Sequence, residues 1–259
     1  MTNYIEFNNT NYEVKAMMKL AEHFTDSMII KINEDSFSFQ IMDDSHTCLL
    51  IGTIPKDTFK TYNLEKESEL SIFISVFIKC LSISGPKPLI SWEWDNNDDH
   101  ITLHVEPENK KKYQSFYGEV KTLDLGTDKR LHLPETEWLT YKVKTELLKR
   151  AVSGIRKLDV NCRSIYIHPY KNKIKIMANT EHVKNANTYI NIEERDDDSD
   201  YDFNQFENIS YQVTLLTKVI DTISNISETM EISWCVERPL FIKVSDFEIY
   251  ISPIIEDTY

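Results

Sequence analysis

The feature that most restricts the fold of this chain is an order of apolar patterns that occurs twice. In each half, a stripe with the i, i+3, i+4, i+7 spacing of one helix face precedes two short alternating runs that predict a β-hairpin. A second helical segment and a second hairpin follow. The tripeptide Ile-Ser-Trp comes after the second helix of each half, at residues 90–92 and 232–234. A repeated order of four elements predicts two similar domains.

The residues of the two halves can be assigned to these elements one by one. The first half contains, in order, a helical stripe at Val14, Met17, Met18, Ala21 and Phe24, a hairpin at 28–32 and 37–41, a segment at 70–83 that begins as a strand and continues as a helix, and a hairpin at 90–94 and 101–105. The second half contains a stripe at Leu147, Leu148, Ala151, Val152 and Ile155, a hairpin at 164–167 and 173–177, a helix with Leu216, Val219, Ile220 and Ile223, and strands at 232–234 and 240–244. Between the halves, 123–130 follows neither period. We therefore predict an α+β protein with domains at 1–122 and 138–259, joined by a linker at 123–137.

Composition limits the classes of protein to consider. A hydrophobic content of 41% in 259 residues is enough to build two cores. We expect no secretion signal and no membrane partner, because the longest apolar run, 70–83, is too short to span a bilayer. The four cysteines are far apart and form no C-x-x-C pair, which favours a reduced intracellular compartment. No cofactor or metal is expected.

Several short segments carry a resemblance to a known family. Residues 42–46 (Met-Asp-Asp-Ser-His), 59–62 (Phe-Lys-Thr-Tyr) and 250–257 (Tyr-Ile-Ser-Pro-Ile-Ile-Glu-Asp) resemble segments of proliferating cell nuclear antigen (PCNA), the sliding DNA clamp. Residues 79–81 and 131–135 fall between them in the family's order, so the resemblance covers nearly the whole chain. It implies the DNA clamp fold, with helices on one face of antiparallel sheets, in a trimeric ring. The implied function is that of a DNA polymerase processivity factor. The resemblance is that of a divergent member, which could be viral. The implied location is the nucleus, or a cytoplasmic replication site for a viral protein.

A net charge of −13 and a pI near 5.0 argue against nucleic acid as a partner unless the basic residues are segregated. The predicted helices carry basic residues in both halves. Cationic helix faces around a hole can hold duplex DNA through its phosphates without reading its sequence. The candidate DNA-binding residues are Lys15, Lys19, Lys79, Lys149, Arg150, Arg156, Lys157 and Lys218.

The resemblance also implies two protein interfaces. Edge strands pair between subunits in a closed ring, and the expected interface residues are Phe116, Tyr117, Gly118, Glu119, Val120, Thr188, Tyr189 and Ile190. Gly118 lies near the place where many clamps carry an interface aromatic, which is a departure from the family. The second interface is a pocket for the PIP-box peptides of polymerases and other replication and repair proteins. Its expected residues are Met42, His46, Leu49, Leu131, Leu133, Pro239, Tyr250, Ser252 and Pro253. A clamp loader is a further expected partner.

Other interpretations stay open at this point. Within the same fold, the chain could be a subunit of a heterotrimeric checkpoint clamp or a viral processivity factor that acts without closing a ring. From another class, Asp43, Asp44 and His46 could serve a metal-dependent hydrolase, but no second ligand cluster accompanies them and we expect no enzyme. The acidic run 196–202 lacks the glycine and glutamate of a calcium loop. Lys171 falls where the family carries a modified lysine, and a turn lysine alone does not predict modification.

Overall fold

The structure, a computed structural model, describes residues 2–7, 11–83, 88–126, 130–131, 136–159, 161–180, 183–195 and 202–254, with the backbone alone at 11–13 and 81–83. The chain divides into two compact units. The first comprises Met1–Asp44 and Leu50–His132, and the second comprises Ser45–Leu49 and Leu133–Tyr259.

The first unit contains two sheets and two α-helices. Its elements are β1 (Asn3–Phe7), α1 (Asn11–Ala21), β2 (Ser27–Ile32), β3 (Ser36–Met42), β4 (Cys48–Pro55), β5 (Phe59–Asn63), β6 (Ser68–Phe73), α2 (Ile74–Ile83), β7 (Pro88–Trp94), β8 (His100–Pro107) and β9 (Phe116–Lys121), with a 3-10 turn at Lys56–Thr58. The strand orders are β5-β1-β7-β8-β9 and β4-β3-β2-β6. The first two residues of β4 group with the second unit.

The second unit has the same content. Its elements are β10 (Leu139–Lys144), α3 (Thr145–Leu158), β11 (Ser164–Tyr170), β12 (Lys173–Ala178), β13 (Ala186–Asn191), β14 (Glu194–Arg195), β15 (Ser210–Gln212), α4 (Val213–Ile223), β16 (Thr229–Trp234), β17 (Leu240–Val244) and β18 (Phe247–Ile251), with a 3-10 turn at Phe203–Phe206. The strand orders within this unit are β14-β10-β16-β17-β18 and β13-β12-β11-β15.

The two units have the same topology. β1 pairs with β5 and β7, and β10 pairs with β14 and β16 in the same antiparallel sense. β2 lies between β3 and β6, as β11 lies between β12 and β15. The two Ile-Ser-Trp tripeptides fall on β7 and β16, which are equivalent strands. The predicted α+β fold of two similar domains is therefore confirmed.

Each unit builds its core around the tryptophan of this tripeptide. In the first unit, the rings of Phe7, Phe37 and Phe77 lie 4.8–5.6 Å from that of Trp92, within the range of favourable edge-to-face packing. In the second unit, the indole N–H of Trp234 donates to the Ile167 carbonyl at 3.0 Å, and its ring lies 5.5 Å from that of Tyr141. Burial of each such side chain stabilises the fold by roughly 2–3 kcal/mol.

The segment 70–83 contains the end of a strand followed by a helix, as predicted. β6 ends at Phe73 and α2 begins at Ile74, whose N–H donates to the Asp26 carbonyl at 2.9 Å. Ile74, Phe77 and Ile78 are buried, whereas Lys79 is exposed. The alternating pattern of the strand therefore ends at Phe73, and the helical spacing begins at Ile74. For this reason both patterns occur within 70–83.

Candidate functional site

The helix faces opposite the cores carry the candidate DNA-binding residues. On α3, Leu148, Val152 and Ile155 are buried at helical spacing. Arg156 and Lys157 are exposed in the last turn of the same helix. Lys79 on α2 and Lys218 on α4 are exposed in the same way. The amphipathic pattern that builds each core thus also places the cations in solvent.

Two of the eight candidate cations are neutralised within the chain. Lys149 Nζ lies 3.4 Å from Asp221 Oδ1 and donates to Ser224 Oγ at 3.0 Å, which joins α3 to α4. Arg150 pairs with Glu146 one turn earlier on α3, at 2.9 Å. The other six form no ion pair with any residue that the structure describes; they are Lys15, Lys19, Lys79, Arg156, Lys157 and Lys218.

Lys15 and Lys19 lie one turn apart on α1, and the charge of Lys19 acts on Lys15. Partial burial lowers the pKa of Lys15, and the nearby Lys19 ammonium lowers it further. Both effects disfavour the charged form when no anion is present. A phosphate bound between the two lysines would offset both effects by favouring the charged form.

Charge is strongly segregated between the α-helices and the rest of the chain. The four α-helices carry eight of the 29 basic residues and only three of the 42 acidic ones, a net charge of +5. The remainder carries −18. Cations concentrated on the helices of an acidic protein attract a polyanion to those helices more than to the acidic remainder.

The candidate interface strands β9 and β13 are each the last strand of a sheet. Tyr117 and Tyr189 are exposed by 66% and 46%, and Val120 and Ile190 are buried. Of the remaining candidates, Glu119 is exposed and Phe116, Gly118 and Thr188 are half-buried. Within the described residues, both strands therefore have one edge without a partner in their sheet and side chains on both faces.

Gly118 is explained by its neighbour Phe116. A Cβ atom added at Gly118 would lie 2.7 Å from the Phe116 ring, closer than any real contact. The phenyl ring therefore occupies the space beside Gly118 on β9. An aromatic surface is present at this position although the side chain comes from two residues earlier.

In the first unit, the candidate docking residues Met42 and Leu131 are each held near the surface. Gln40 Oε1 accepts from the Leu131 N–H at 2.7 Å, and Gln40 Nε2 donates to the Leu131 carbonyl at 3.1 Å. These two bonds fix the backbone while the Leu131 side chain stays 48% exposed. Met42 lines a small cavity of about 220 Å³ together with Leu125 and Gln40.

In the second unit, three candidate docking residues line one large cavity. His46, Ser252 and Pro253 contribute to its wall, and its volume is about 1050 Å³. Tyr250 and Pro239 are half-buried, and Leu49 is buried. Because it is buried, Leu49 can only pack beneath the surface residues and cannot contact a docked peptide directly. Leu133 lies outside the described residues.

Tyr250 belongs to an aromatic row on the sheet of the second unit. Its ring stacks on Phe241 at 4.7 Å, and the Phe241 ring lies 5.4 Å from Trp138. The Tyr250 hydroxyl donates to Glu248 Oε2 at 2.9 Å. Burial raises the pKa of Tyr250, and the Glu248 carboxylate raises it further, so the hydroxyl remains a donor.

Sequence reasoning did not identify several residues that line these surfaces. They are Phe241, Trp138, Leu125, Asn161, Arg163, Gln212 and Thr214. Phe241 could have been found, because it lies directly opposite Tyr250 in the β17–β18 pair and therefore on the same face of the sheet. The cavity residues come from separate segments, and no local pattern connects them.

The remaining predictions concern the turn and loop candidates. Lys171 lies in the turn between β11 and β12 with a φ of 50°, and its carbonyl accepts a hydrogen bond from the Tyr141 hydroxyl. Within the described residues, no three His, Cys, Asp or Glu side chains are grouped to hold a metal ion. Most of the acidic run, 196–201, lies outside those residues. None of the helices in the described ranges has both the length and the apolar character needed to cross a membrane.

Sequence comparison relates part of the chain to a known family. Residues 6–129 match the family model described as "Proliferating cell nuclear antigen, N-terminal domain". The "Probable DNA polymerase sliding clamp 2" of Paramecium bursaria Chlorella virus 1 is 29% identical over 125 residues, which is 48% of this chain. The matched region spans 44% of that relative.

Structural comparison extends the similarity to the second unit. PCNA from Thermococcus kodakaraensis matches with a TM-score of 0.79 and 17% identity, covering 97% of this chain and 100% of that protein. A chain of a PCNA2–PCNA3 complex from Sulfolobus tokodaii matches with a TM-score of 0.79 and 15% identity. The match covers 96% of this chain and 98% of that chain. The fold is therefore that of PCNA throughout, and residues 6–129 match the N-terminal domain of that family.

Proposed function

We propose that the protein is a sliding clamp that encircles duplex DNA and serves as a processivity factor for a DNA polymerase. The observation that carries this proposal is the segregation of charge, +5 on the α-helices against −18 elsewhere. The viral relative, named as a probable DNA polymerase sliding clamp, supports the same function. In this role the protein is a scaffold without catalysis of its own.

DNA would be held through its phosphates alone. The six helix cations without an ion pair have no carboxylate to displace among the described residues, so each can take the place of a counterion on the duplex. Contacts of this kind do not read bases and permit sliding. An acidic exterior keeps DNA away from the other surfaces.

Ring closure would use the two edge strands. We propose that β9 of one copy pairs with β13 of the next, because both end their sheets and carry exposed tyrosines. Such a head-to-tail contact closes into a ring when the rotation between copies is one third of a turn. A homotrimer would carry a net charge of −39. The PCNA2–PCNA3 complex shows that a protein of this fold assembles from more than one chain.

The docking function would lie at Met42 and Leu131 in the first unit and at His46, Pro239, Tyr250, Ser252 and Pro253 in the second. Half-exposed apolar side chains on rigid backbone are typical of peptide anchor sites. We propose PIP-box replication and repair proteins, the polymerase and a clamp loader as partners. The site of action would be the nucleus, or a cytoplasmic replication site if the protein is viral.

A topological experiment tests the central proposal. The protein is incubated with linear duplex DNA so that rings can thread over the ends, and both ends are then blocked with streptavidin on terminal biotins. After a wash in 1 M salt, which removes proteins bound by charge alone, an encircling clamp stays on the DNA. Cutting one end with a restriction enzyme releases it. Equal loss before and after cutting would rule out encirclement.

The mass in solution separates the clamp types. Light scattering at micromolar concentration should give three times the 30.5 kDa of one chain. A monomer would instead favour a factor that acts without a ring, or a subunit of a heterotrimeric clamp.

Docking is tested by substituting both Met42 and Leu131 with Ala. Titration calorimetry with a PIP-box peptide should then detect no binding, because both apolar anchors are removed. Light scattering should still give the mass of the unsubstituted assembly. Equal affinity before and after substitution would contradict the pocket.

A further inference from the structure

The large cavity of the second unit has no carboxylate among the described residues that line it, although the chain has 42 acidic residues. Four segments form its wall: 45–47, 161–163, 212–215 and 252–254. The lining consists of hydroxyl, carboxamide, thiol and apolar side chains together with His46 and Arg163. The cavity is therefore neutral to cationic within an acidic protein, which is unfavourable for a cationic occupant and favourable for an anionic one.

Hydrogen bonds that join these segments to one another and to Ser210 on β15 fix the shape of this cavity. The Ser252 N–H donates to the Thr47 carbonyl at 2.8 Å, and the Ile254 N–H donates to the Ser210 carbonyl at 2.8 Å. The Val213 N–H donates to the Arg163 carbonyl at 3.0 Å. The wall is thus held by main-chain bonds on several sides. A ligand meets a preformed site and does not have to order it.

Arg163 is the strongest charge on this wall. Its side chain is exposed, and it forms no ion pair within the described part of the chain. Asp159 lies in the turn just before it, but one carboxylate oxygen accepts the Asn161 N–H at 2.8 Å. Because no described carboxylate pairs with Arg163, its donors can serve a ligand, and its planar fork matches a carboxylate in geometry.

The start of α4 adds to the positive potential. Gln212 precedes the helix without capping it by a side-chain hydrogen bond, and Thr214 and Leu215 in the first turn line the cavity. The positive end of an α-helix dipole attracts negative charge in this position. Two features, the Arg163 guanidinium and a helix start without a side-chain cap, thus favour an anion at the same wall.

We infer that this cavity selects docking peptides that carry an acidic side chain, with Arg163 as the residue that determines the preference. The inference rests on the proposed docking function, because His46, Ser252 and Pro253 line the same cavity. A peptide anchored there would place neighbouring residues against Arg163. Its Asp or Glu carboxylate would accept hydrogen bonds from the guanidinium.

Pairs of peptides that differ by charge alone test this inference. For each residue that flanks the apolar anchors of a synthetic PIP-box peptide, one pair of peptides is made, with Asp at that position in one and Asn in the other. Both peptides of each pair are titrated calorimetrically into the full-length protein. At the best position the Asp peptide should bind about 3–10 times more tightly, and the ratio should shrink as salt is raised. Arg163→Gln should reduce the ratio to about 1, and Arg163→Glu should invert it. Lys184→Gln, which removes the same charge from an exposed turn of this unit, should leave the ratio unchanged.

Each other outcome has a defined meaning. Peptides that bind with no charge preference at any position would overturn the inference and leave the docking function intact. No binding of any peptide would overturn both. A preference that persists in Arg163→Gln, while that variant loses DNA retention, would assign the arginine to DNA and overturn the inference as well.

Discussion

Lysines on the strands differ from basic residues on the α-helices in what surrounds them. Six of the eight strand lysines in the described chain have a carboxylate within 4 Å, whereas six of the eight helix cations have none. The paired strand lysines are Lys31, Lys60, Lys121, Lys142, Lys144 and Lys175. Cations on strands are thus largely neutralised within the chain, while those on helices keep their charge for a partner. The comparison shows why net charge alone is a poor guide to whether this chain can bind DNA.

The largest expected effect comes from reversing helix cations that have no ion pair. Arg156→Glu combined with Lys157→Glu should weaken DNA binding at least tenfold at 0.1 M salt, because two attractions to phosphate become repulsive. The slope of log affinity against log salt should fall by about 0.9 for each phosphate that is no longer neutralised. The measurement is fluorescence anisotropy with a labelled duplex across a salt series.

The matched control for that variant reverses two paired strand cations. Lys142→Glu combined with Lys144→Glu makes the same change in charge on β10, where Glu194 and Glu193 lie 3.7 and 3.6 Å away. DNA affinity should stay within about twofold, as the effect of distant exposed charges is screened. An equal loss of affinity in both variants would mean that the contrast between helices and strands does not govern DNA binding.

A second test compares two lysines on neighbouring helices. Lys218 on α4 is exposed and has no ion pair among the described residues, whereas Lys149 on α3 contacts both Asp221 and Ser224 of the α4 region. Lys218→Gln should lower DNA affinity by about threefold with unchanged stability. Lys149→Gln should lower the free energy of unfolding by about 1 kcal/mol and change DNA affinity less. Urea unfolding and anisotropy on both variants decide whether pairing or helix position matters.

This difference between Lys149 and Lys218 also marks how far the sequence could lead. The apolar stripes predicted all four helices and therefore which basic residues lie on them. Whether such a residue is paired depends on residues distant in sequence, as Lys149 and Asp221 are, and no local pattern contains that information. Very short strands escaped prediction for a related reason. β14 has two residues and β15 has three, too few to show a period, and their neighbours in the sheet define them.

The docking surfaces show the same limit. Met42, Ser252 and Pro253 were predicted as docking residues from short segments that resemble the family. Arg163 carried no signal, because the role proposed for it depends on a cavity that four separate segments create. A resemblance to a family identifies positions that its members share. Residues particular to this chain can be identified only from the packing of the whole unit.

Among the paired strand lysines, burial should decide how much each pair contributes. The Lys175 side chain is 16% exposed and pairs with Glu207, whereas Lys142 is 44% exposed and pairs with Glu194. Lys175→Gln should lower the free energy of unfolding by about 1 kcal/mol, because it leaves Glu207 without its partner. Lys142→Gln should change it by less than about 0.5 kcal/mol. Similar values for the two variants in urea unfolding would show that these pairs do not depend on burial.

The smallest expected effect concerns His168, which is fully buried on β11 near the Lys175–Glu207 pair. Burial lowers its pKa, and the Lys175 ammonium lowers it further, against opposing effects of the Pro169 carbonyl and Glu207. Nε2 has no hydrogen-bond partner among the described residues. The neutral ring is therefore the form that the fold accepts. Because the folded pKa lies below the unfolded value of about 6.5, stability is fully present above that value and is lost as pH falls through it toward the folded pKa.

Comparison of urea unfolding at pH 7.5 and 5.5 measures this contribution. The unsubstituted protein should lose up to about 1 kcal/mol more on acidification than His168→Gln, which has no imidazole to protonate. His23→Gln, an exposed histidine just after α1, should behave like the unsubstituted protein. If His168→Gln kept the full pH dependence, the buried imidazole would not be its source. The carboxylates that pair with the strand lysines would then account for it.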